Sequence, residues 1–192
     1  MYTAGWKGWS VLLLAQDAVF ILGATTFLLA GEHYGTSQHP QAVSYPGPFV
    51  DTDSETRLPA YFLWYVVTAW APPAVVIPCA GIIWLASKGQ AALAAATLIP
   101  YLMVLIAQVL TEECFKRRCS PMWPQVPMVY MAYRFWQLLR SCWLSTLLPM
   151  PTWLEFLQES LVLVWVFNFG AVMTWAPWLY RWHMQPQSQK LK

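Results

Sequence analysis

Four long runs of apolar residues constrain this chain more than any other feature. They cover residues 9–30, 58–86, 91–111 and 153–176. A helix rises about 1.5 Å per residue, so roughly 20 apolar residues cross the roughly 30 Å hydrocarbon core of a bilayer. Core helices of soluble proteins are rarely apolar on every side. The pattern predicts an all-α integral membrane helical bundle with four transmembrane helices, in a single membrane domain.

The low content of charged residues supports lipid as the main solvent. Only 10% of the 192 residues are charged, whereas an ordinary soluble domain has about 25%. The net charge of +2 is small and the basic residues are scattered, which excludes nucleic acid as the main partner. Membrane lipids and other membrane protein subunits are the expected partners. The chain lacks metal-binding and phosphate-binding motifs, so no metal or other cofactor is expected.

Proline residues interrupt the second run. Pro72, Pro73 and Pro78 lack the N–H that a helix needs, so the carbonyls four residues earlier lose their usual donors. These are the carbonyls of Thr68, Ala69 and Ala74. We predict a kink here, with a cation or ligand site at the freed carbonyls as the alternative. The last run is preceded by Pro149 and Pro151, and Thr152 with Glu155 fits a capping box at its start.

Residues 128–147 are amphipathic. At 100° per residue one arc carries Tyr133, Arg134, Gln137 and Arg140, while Trp and Leu residues cover the other side. Placing an Arg at bilayer depth costs about 2.5–3.5 kcal/mol. We therefore expect an amphipathic interfacial helix that lies in the membrane plane. The alternative is a fifth crossing, whose Arg residues are paired inside the bundle.

The segment 31–57 is the one long hydrophilic connection. It contains four acidic residues, one Arg and no helical or strand period, so it is expected to be an irregular loop. With four crossings, an acidic loop on the non-cytoplasmic side places the N-terminus and Lys88 in the cytoplasm. The same arrangement leaves Lys116, Arg117 and Arg118 on the opposite side. The orientation therefore stays open.

Polar side chains also occur within or beside the apolar runs. Asp17 lies eight residues into the first run, about 12 Å from its start, where an unpaired charge is costly. We expect it to face the interior of the bundle, with the Arg residues of segment 128–147 as counter-charges. We predict a polar intramembrane site of five residues: Gln16, Asp17, Arg134, Arg140 and Glu159. The alternatives are that these groups pair only so that lipid tolerates them, or that Glu155 and Glu159 lie among the headgroups near the N-terminus of the last helix.

The sequence CFKRRC, residues 114–119, follows the third run directly. Two Cys without a second pair or a nearby His do not make a structural zinc site. Cysteines beside basic residues at a membrane surface are typical of acylation and of contact with lipid head groups. The alternative is a cationic turn at the headgroups. The residues concerned are Cys114, Lys116, Arg117, Arg118 and Cys119.

Two stretches of the chain carry a family likeness: SKGQAALAAATLIPYLMVLIAQVLTEE and PQVPMVYMAYRFWQLLRS. Their most specific features are Gln108 with Glu112 or Glu113, and Tyr133 with Arg134. On these features, residues 64–143 resemble an uncharacterised multi-pass membrane protein family of plants and green algae. The resemblance implies an integral membrane protein without an assigned activity.

These features favour a non-enzymatic membrane subunit or accessory factor that binds lipid, other membrane proteins, or both. A chain of 192 residues with four membrane helices leaves little room for a separate catalytic domain. The alternative function is an intramembrane lipid or sterol-type isomerase, or a small transporter, that uses buried carboxylates. The expected location is an endomembrane or an organellar membrane.

Overall fold

Five α-helices run through the part of the chain that the computed structural model describes, which is residues 3–38, 64–118, 120, 122–147 and 150–179. No strand occurs among these residues, which confirms the all-α class. The helices are α1 (Thr3–Gln38), α2 (Ile77–Ser87), α3 (Ala91–Arg117), α4 (Gln125–Leu147) and α5 (Thr152–Leu179).

Four stretches of helix are long and apolar enough to cross a membrane, which fits a multi-pass membrane protein. They are Gly8–Gly35, Val67–Ser87, Ala91–Arg117 and Thr152–Thr174. Helix α1 extends about two turns beyond residue 30, so the start of the predicted loop 31–57 is helical. Contacts with the end of α3 accompany this extension, because Glu32 is paired with Arg118. Residues 39–63 lie outside the described part.

The predicted interruption by proline takes the form of π-helical turns. Tyr65–Trp70 and Pro72–Val76 are π-helical and lead directly into α2. The N–H of Ile77 donates to the carbonyl of Pro72, five residues earlier. The Tyr101 hydroxyl of α3 donates to the Ala74 carbonyl at 2.8 Å. The Tyr101 hydroxyl thus replaces the backbone N–H donor that the Ala74 carbonyl lacks because residue 78 is a proline.

A tight turn joins α2 to α3. Gly89 has a φ of 73°, in the left-handed region that glycine adopts without strain. The N–H of Gln90 donates to Leu85 O at 2.8 Å, and that of Gly89 to Ala86 O at 3.0 Å. These two bonds form a Schellman motif, which ends a helix and reverses the chain. Helix α3 therefore returns antiparallel along α2.

Helix α4 lies antiparallel to α1 along most of its length. At one end the Trp9 and Trp143 rings are 6.5 Å apart. Further along, Phe20 stacks on Tyr133, and the hydroxyls of Thr25 and Tyr130 are 3.3 Å apart. If α1 crosses a bilayer, this side-by-side packing favours the alternative in which α4 crosses as well. The in-plane orientation expected for residues 128–147, with a fifth crossing as its alternative, stays a prediction.

The two faces of α4 have different surroundings. Its polar face is buried against the other helices: Arg134, Gln137 and Ser141 are at most 4% exposed. Its apolar face points outward, with Trp136 and Trp143 each 55% exposed. A helix at a water interface would expose its polar face instead. The sequence identified both faces correctly, and the structure adds that the polar face packs against other helices while the apolar face points outward.

The main hydrophobic core lies between α2, α3, α4 and α5. Helix α5 is antiparallel to α2, since Trp153 packs on Trp84 at one end and Trp165 on Trp70 further along. The capping box predicted for α5 is wrong: Thr152 is already helical, and the Glu155 N–H donates to Pro151 O at 3.2 Å.

The packing of α4 makes a prediction about which connections share a side of the membrane. If α4 crosses, a Cys placed at Ser87 and one placed at Met150 should react from the same side, and Cys114 from the other. The measurement is labelling of single-Cys variants in sealed vesicles with a membrane-impermeant maleimide. Reaction of the Met150 variant from the same side as Cys114 would contradict an upright α4.

Candidate functional site

Asp17 is the centre of a buried polar cluster between α1 and α4. Its side chain is 0% exposed. It accepts hydrogen bonds from the Tyr133 hydroxyl, from Gln137 Nε2 at 2.8 Å and from Arg140 Nη2 at 3.0 Å. Arg140 also donates from Nη1 to Gln16 Oε1 at 2.7 Å. We call Gln16, Asp17, Tyr133, Gln137 and Arg140 the Asp17 cluster.

The spacing of residues on α4 positions this cluster. Tyr133, Gln137 and Arg140 follow one another at intervals of four and three, so they lie on one face of a helix. The antiparallel register of α1 and α4 brings that face to Asp17. A buried carboxylate with an Arg partner and two further donors is compensated in the way that a charge in an apolar medium requires.

Arg134 lies on the same buried side of α4 and forms a second cluster. It is 0% exposed and donates from Nη2 to Gln108 Oε1 at 2.8 Å. Gln108 in turn donates to Glu112 at 2.8 Å. The Arg134 guanidinium also lies 4.1 Å from the centre of the Trp165 ring and 5.3 Å from that of Tyr101. Cation–π contacts of this kind gain strength away from water.

Hydrogen bonds continue from this second cluster to the π-helical segment before α2. The Trp165 indole N–H donates to the Tyr101 hydroxyl at 3.0 Å, and that hydroxyl donates to the Ala74 carbonyl. We call Gln108, Glu112, Arg134, Tyr101 and Trp165 the Arg134 cluster. It links three helices, α3, α4 and α5, to the proline-rich segment that precedes α2.

The structure brings together some of the predicted site residues and separates others. Gln16, Asp17 and Arg140 meet as predicted. Arg134 faces the bundle interior, but its bonds go to Gln108 rather than to Asp17. Glu159 has an exposed side chain and takes no part in either cluster.

Sequence reasoning missed several members of both clusters as site residues. The sequence placed Gln137 on the polar arc of α4 but gave it no role in a site. Its position, one helical turn from both Arg134 and Arg140, could have indicated that it belongs to the site. The four-residue interval between Gln108 and Glu112 was a second available signal. Tyr101 and Trp165 carry no such signal, because aromatic residues in an apolar run are indistinguishable from ordinary core.

The basic residues at the end of α3 are paired with acids. Glu113 binds Arg117 at 2.9 Å and Lys116 at 3.5 Å, and Glu32 of α1 binds Arg118 at 3.4 Å. Cys114 is exposed, and Cys119 lies outside the described residues. Surface ion pairs contribute little to stability, so these side chains can exchange partners at small cost.

The arrangement of the Asp17 cluster suits a structural role better than proton transfer. Both oxygens of Asp17 already accept hydrogen bonds, Oδ1 from Tyr133 and Oδ2 from Gln137 and Arg140. A general base must instead reach a substrate proton. Two cavities, one of about 420 Å³ beside Trp84 and Trp153 and one of about 380 Å³ beside Arg118, touch neither cluster. Among the described residues, no group of three His, Cys, Asp or Glu could hold a metal ion.

Comparisons of the chain with models of known families, with curated proteins and with solved structures found no match. The resemblance to the plant and green-algal family therefore stays a prediction. Its most specific pairs lie in the two clusters: Gln108 and Glu112 in one, and Tyr133 and Arg134 divided between both.

Proposed function

We propose that this protein is a non-enzymatic membrane subunit or accessory factor that binds lipid and other membrane proteins. The observation that carries the proposal is the closed hydrogen bonding of Asp17. Asp17 precedes every other acidic residue of α1, and three side chains of α4 donate hydrogen bonds to it. Polar residues used in this way fix the packing of helices in lipid.

The outer surface of the bundle supports the same role. Large apolar side chains are exposed on all five helices, including Val19 of α1, Ile83 of α2, Ile106 of α3, Trp136 of α4 and Leu163 of α5. Exposing so much apolar surface to water would be unfavourable. Lipid tails and the apolar faces of other membrane helices are its natural neighbours.

An upright α4 also gives the protein a consistent orientation. With five crossings, the connections and tail that contain most of the basic residues attach to one end of the bundle. These are Arg57, Lys116, Arg117, Arg118, Arg181, Lys190 and Lys192, whereas Lys7 and Lys88 attach to the other end. The positive-inside rule then places the first group in the cytoplasm, or its organellar equivalent. The conflict that arises with four crossings disappears.

The proposal is tested by the size and composition of the complex that the protein forms. After extraction in a mild detergent, native electrophoresis should show it well above its own mass of 22.0 kDa, together with defined membrane proteins. The neutral double variant Asp17→Asn/Arg140→Gln should keep that complex, because both side chains retain hydrogen-bonding groups. A monomer that migrates alone in every mild detergent would contradict the subunit role.

A second candidate, an intramembrane isomerase or small transporter, has one observation in its favour. Buried polar atoms of Arg134 (Nε and Nη1), Gln137 (Oε1) and Gln158 (Oε1 and Nε2) have no hydrogen-bond partner within the structure. Such groups can serve a polar ligand. This candidate ranks second because both oxygens of Asp17 already accept hydrogen bonds and the Glu159 side chain is exposed. Under it, the neutral double variant would lose ligand turnover or transport.

A further inference from the structure

We infer that the cavity between the ends of α1 and α3 binds the headgroup of a phospholipid with a primary amine, of the phosphatidylethanolamine class. The cavity has a volume of about 380 Å³ and is lined by Leu29, Glu32, His33 and Arg118. The inference deepens the lipid binding of the proposed function and rests on it. It assigns a site, a headgroup chemistry and a side of the membrane.

The depth of the cavity matches the headgroup layer. Trp9 and Trp143 pack together at the opposite end of α1, where aromatic residues commonly mark a membrane interface. From Trp9 to Glu32 the helix rises about 35 Å, slightly more than the roughly 30 Å hydrocarbon core. When Trp9 lies at one boundary, Glu32 and Arg118 therefore lie just outside the other.

The charges of the cavity match both ends of a zwitterionic headgroup. Arg118 offers a guanidinium, with a side chain that is 55% exposed, and guanidinium groups bind phosphate through paired N–H donors. Glu32 offers a carboxylate that is only 16% exposed, which can accept hydrogen bonds from a primary ammonium. The two groups are 3.4 Å apart, so a phosphate on Arg118 and an ammonium on Glu32 would lie side by side, as they do in a zwitterionic headgroup.

The charged side chains that line the cavity disfavour other common lipid headgroups. A choline headgroup has no N–H to donate to Glu32. An anionic headgroup without an amine would bring a second negative charge beside that carboxylate. Leu29, which is 40% exposed at the inner edge, continues the cavity toward the acyl region. A volume of about 380 Å³ corresponds to roughly a dozen water molecules, which is ample for phosphate and ethanolamine.

Native mass spectrometry of the full-length protein in detergent tests this inference. The probes are dioleoyl phosphatidylethanolamine, phosphatidylcholine and phosphatidylglycerol, each added at the same concentration. We expect phosphatidylethanolamine adducts to be roughly tenfold more abundant than phosphatidylcholine adducts, since one charge-assisted hydrogen-bonding group separates them. Soluble phosphoethanolamine should not displace the lipid; displacement would assign the cavity to a soluble ligand and overturn the inference.

Variants separate the two halves of the site. Glu32→Gln should abolish the preference for phosphatidylethanolamine over phosphatidylcholine, whereas Arg118→Gln should weaken both adducts. Lys88→Gln is the matched control: it removes one exposed charge at the other end of the bundle and should leave the adducts unchanged. Circular dichroism and gel filtration verify that each variant is folded.

Three results would overturn the inference: equal retention of the two zwitterionic lipids, a preference for phosphatidylglycerol, or discrimination that survives Glu32→Gln. Carbonate extraction distinguishes this failure from that of the proposed function. If the protein remains in the membrane pellet without lipid preference, only the headgroup site falls. If it appears in the supernatant, the proposed membrane role falls as well.

Discussion

Replacing Asp17 by Asn should lower the free energy of unfolding by about 3–5 kcal/mol, which is the usual effect of removing one partner of a buried ion pair. The side chain of Arg140 is only 7% exposed, so it would keep its charge in an apolar surrounding with only neutral amide oxygens as acceptors. Equilibrium unfolding in mixed micelles, followed by circular dichroism, measures the change. This is one of the two largest effects that we expect.

Two further variants show whether the loss comes from the unpaired charge. The double variant Asp17→Asn/Arg140→Gln should recover most of the lost stability, because the pair becomes neutral while its hydrogen-bonding groups remain. Glu159→Gln, on an exposed side chain, should change stability by no more than about 0.5 kcal/mol. A double variant that is less stable than Asp17→Asn alone would show that the cluster has another role.

The helices could be predicted from sequence because length and apolar content leave few alternatives in lipid. The four apolar runs all appear as helices, and the prolines at 72, 73 and 78 mark the segment where α-helix gives way to π-helical turns. Helix ends were predicted less well. Helix α1 extends past residue 30 through contacts such as Glu32 with Arg118, which no local pattern indicates.

The surroundings of α4 show what a helical pattern leaves open. Periodicity identifies which residues share a face, but it does not say whether that face meets water or other helices. The energy of inserting Arg134 and Arg140 alone favours an interfacial helix. Their partners, Gln108 on α3 and Asp17 on α1, remove that penalty, and they are 26 and 123 residues away in sequence. Only the tertiary structure reveals them.

The candidate site could be predicted only in part, because some of its contacts follow from charge and others from tertiary packing. Asp17 and Arg140 are opposite charges in an apolar chain, so their pairing follows from the cost of leaving either alone. Glu159 was expected to join them, but its position on α5 leaves it exposed. Trp165 and Tyr101 have a polar role only because Arg134 lies against their rings. Such a contact depends on the packing of three helices and leaves no trace in local sequence.

The second large effect is expected at Arg134. Arg134→Ala should lower the free energy of unfolding by about 3–5 kcal/mol, in the range seen when large buried side chains are truncated. The variant removes the bond to the buried Gln108 and the contacts with the Trp165 and Tyr101 rings. The matched control is Arg117→Ala, with the same chemical change on a side chain that is 78% exposed. It should have little effect, because exposed ion pairs contribute little.

Arg134→Lys distinguishes the shape of the side chain from its charge. A Lys retains the positive charge, but its ammonium cannot lie flat against the Trp165 ring while it also donates to Gln108. We therefore expect Lys to recover less than half of the stability lost in Arg134→Ala, measured by the same unfolding experiment. Full recovery would show that charge alone matters at this position. Partial recovery would show that the planar guanidinium, bonded to α3 and stacked on α5, holds the three helices in register.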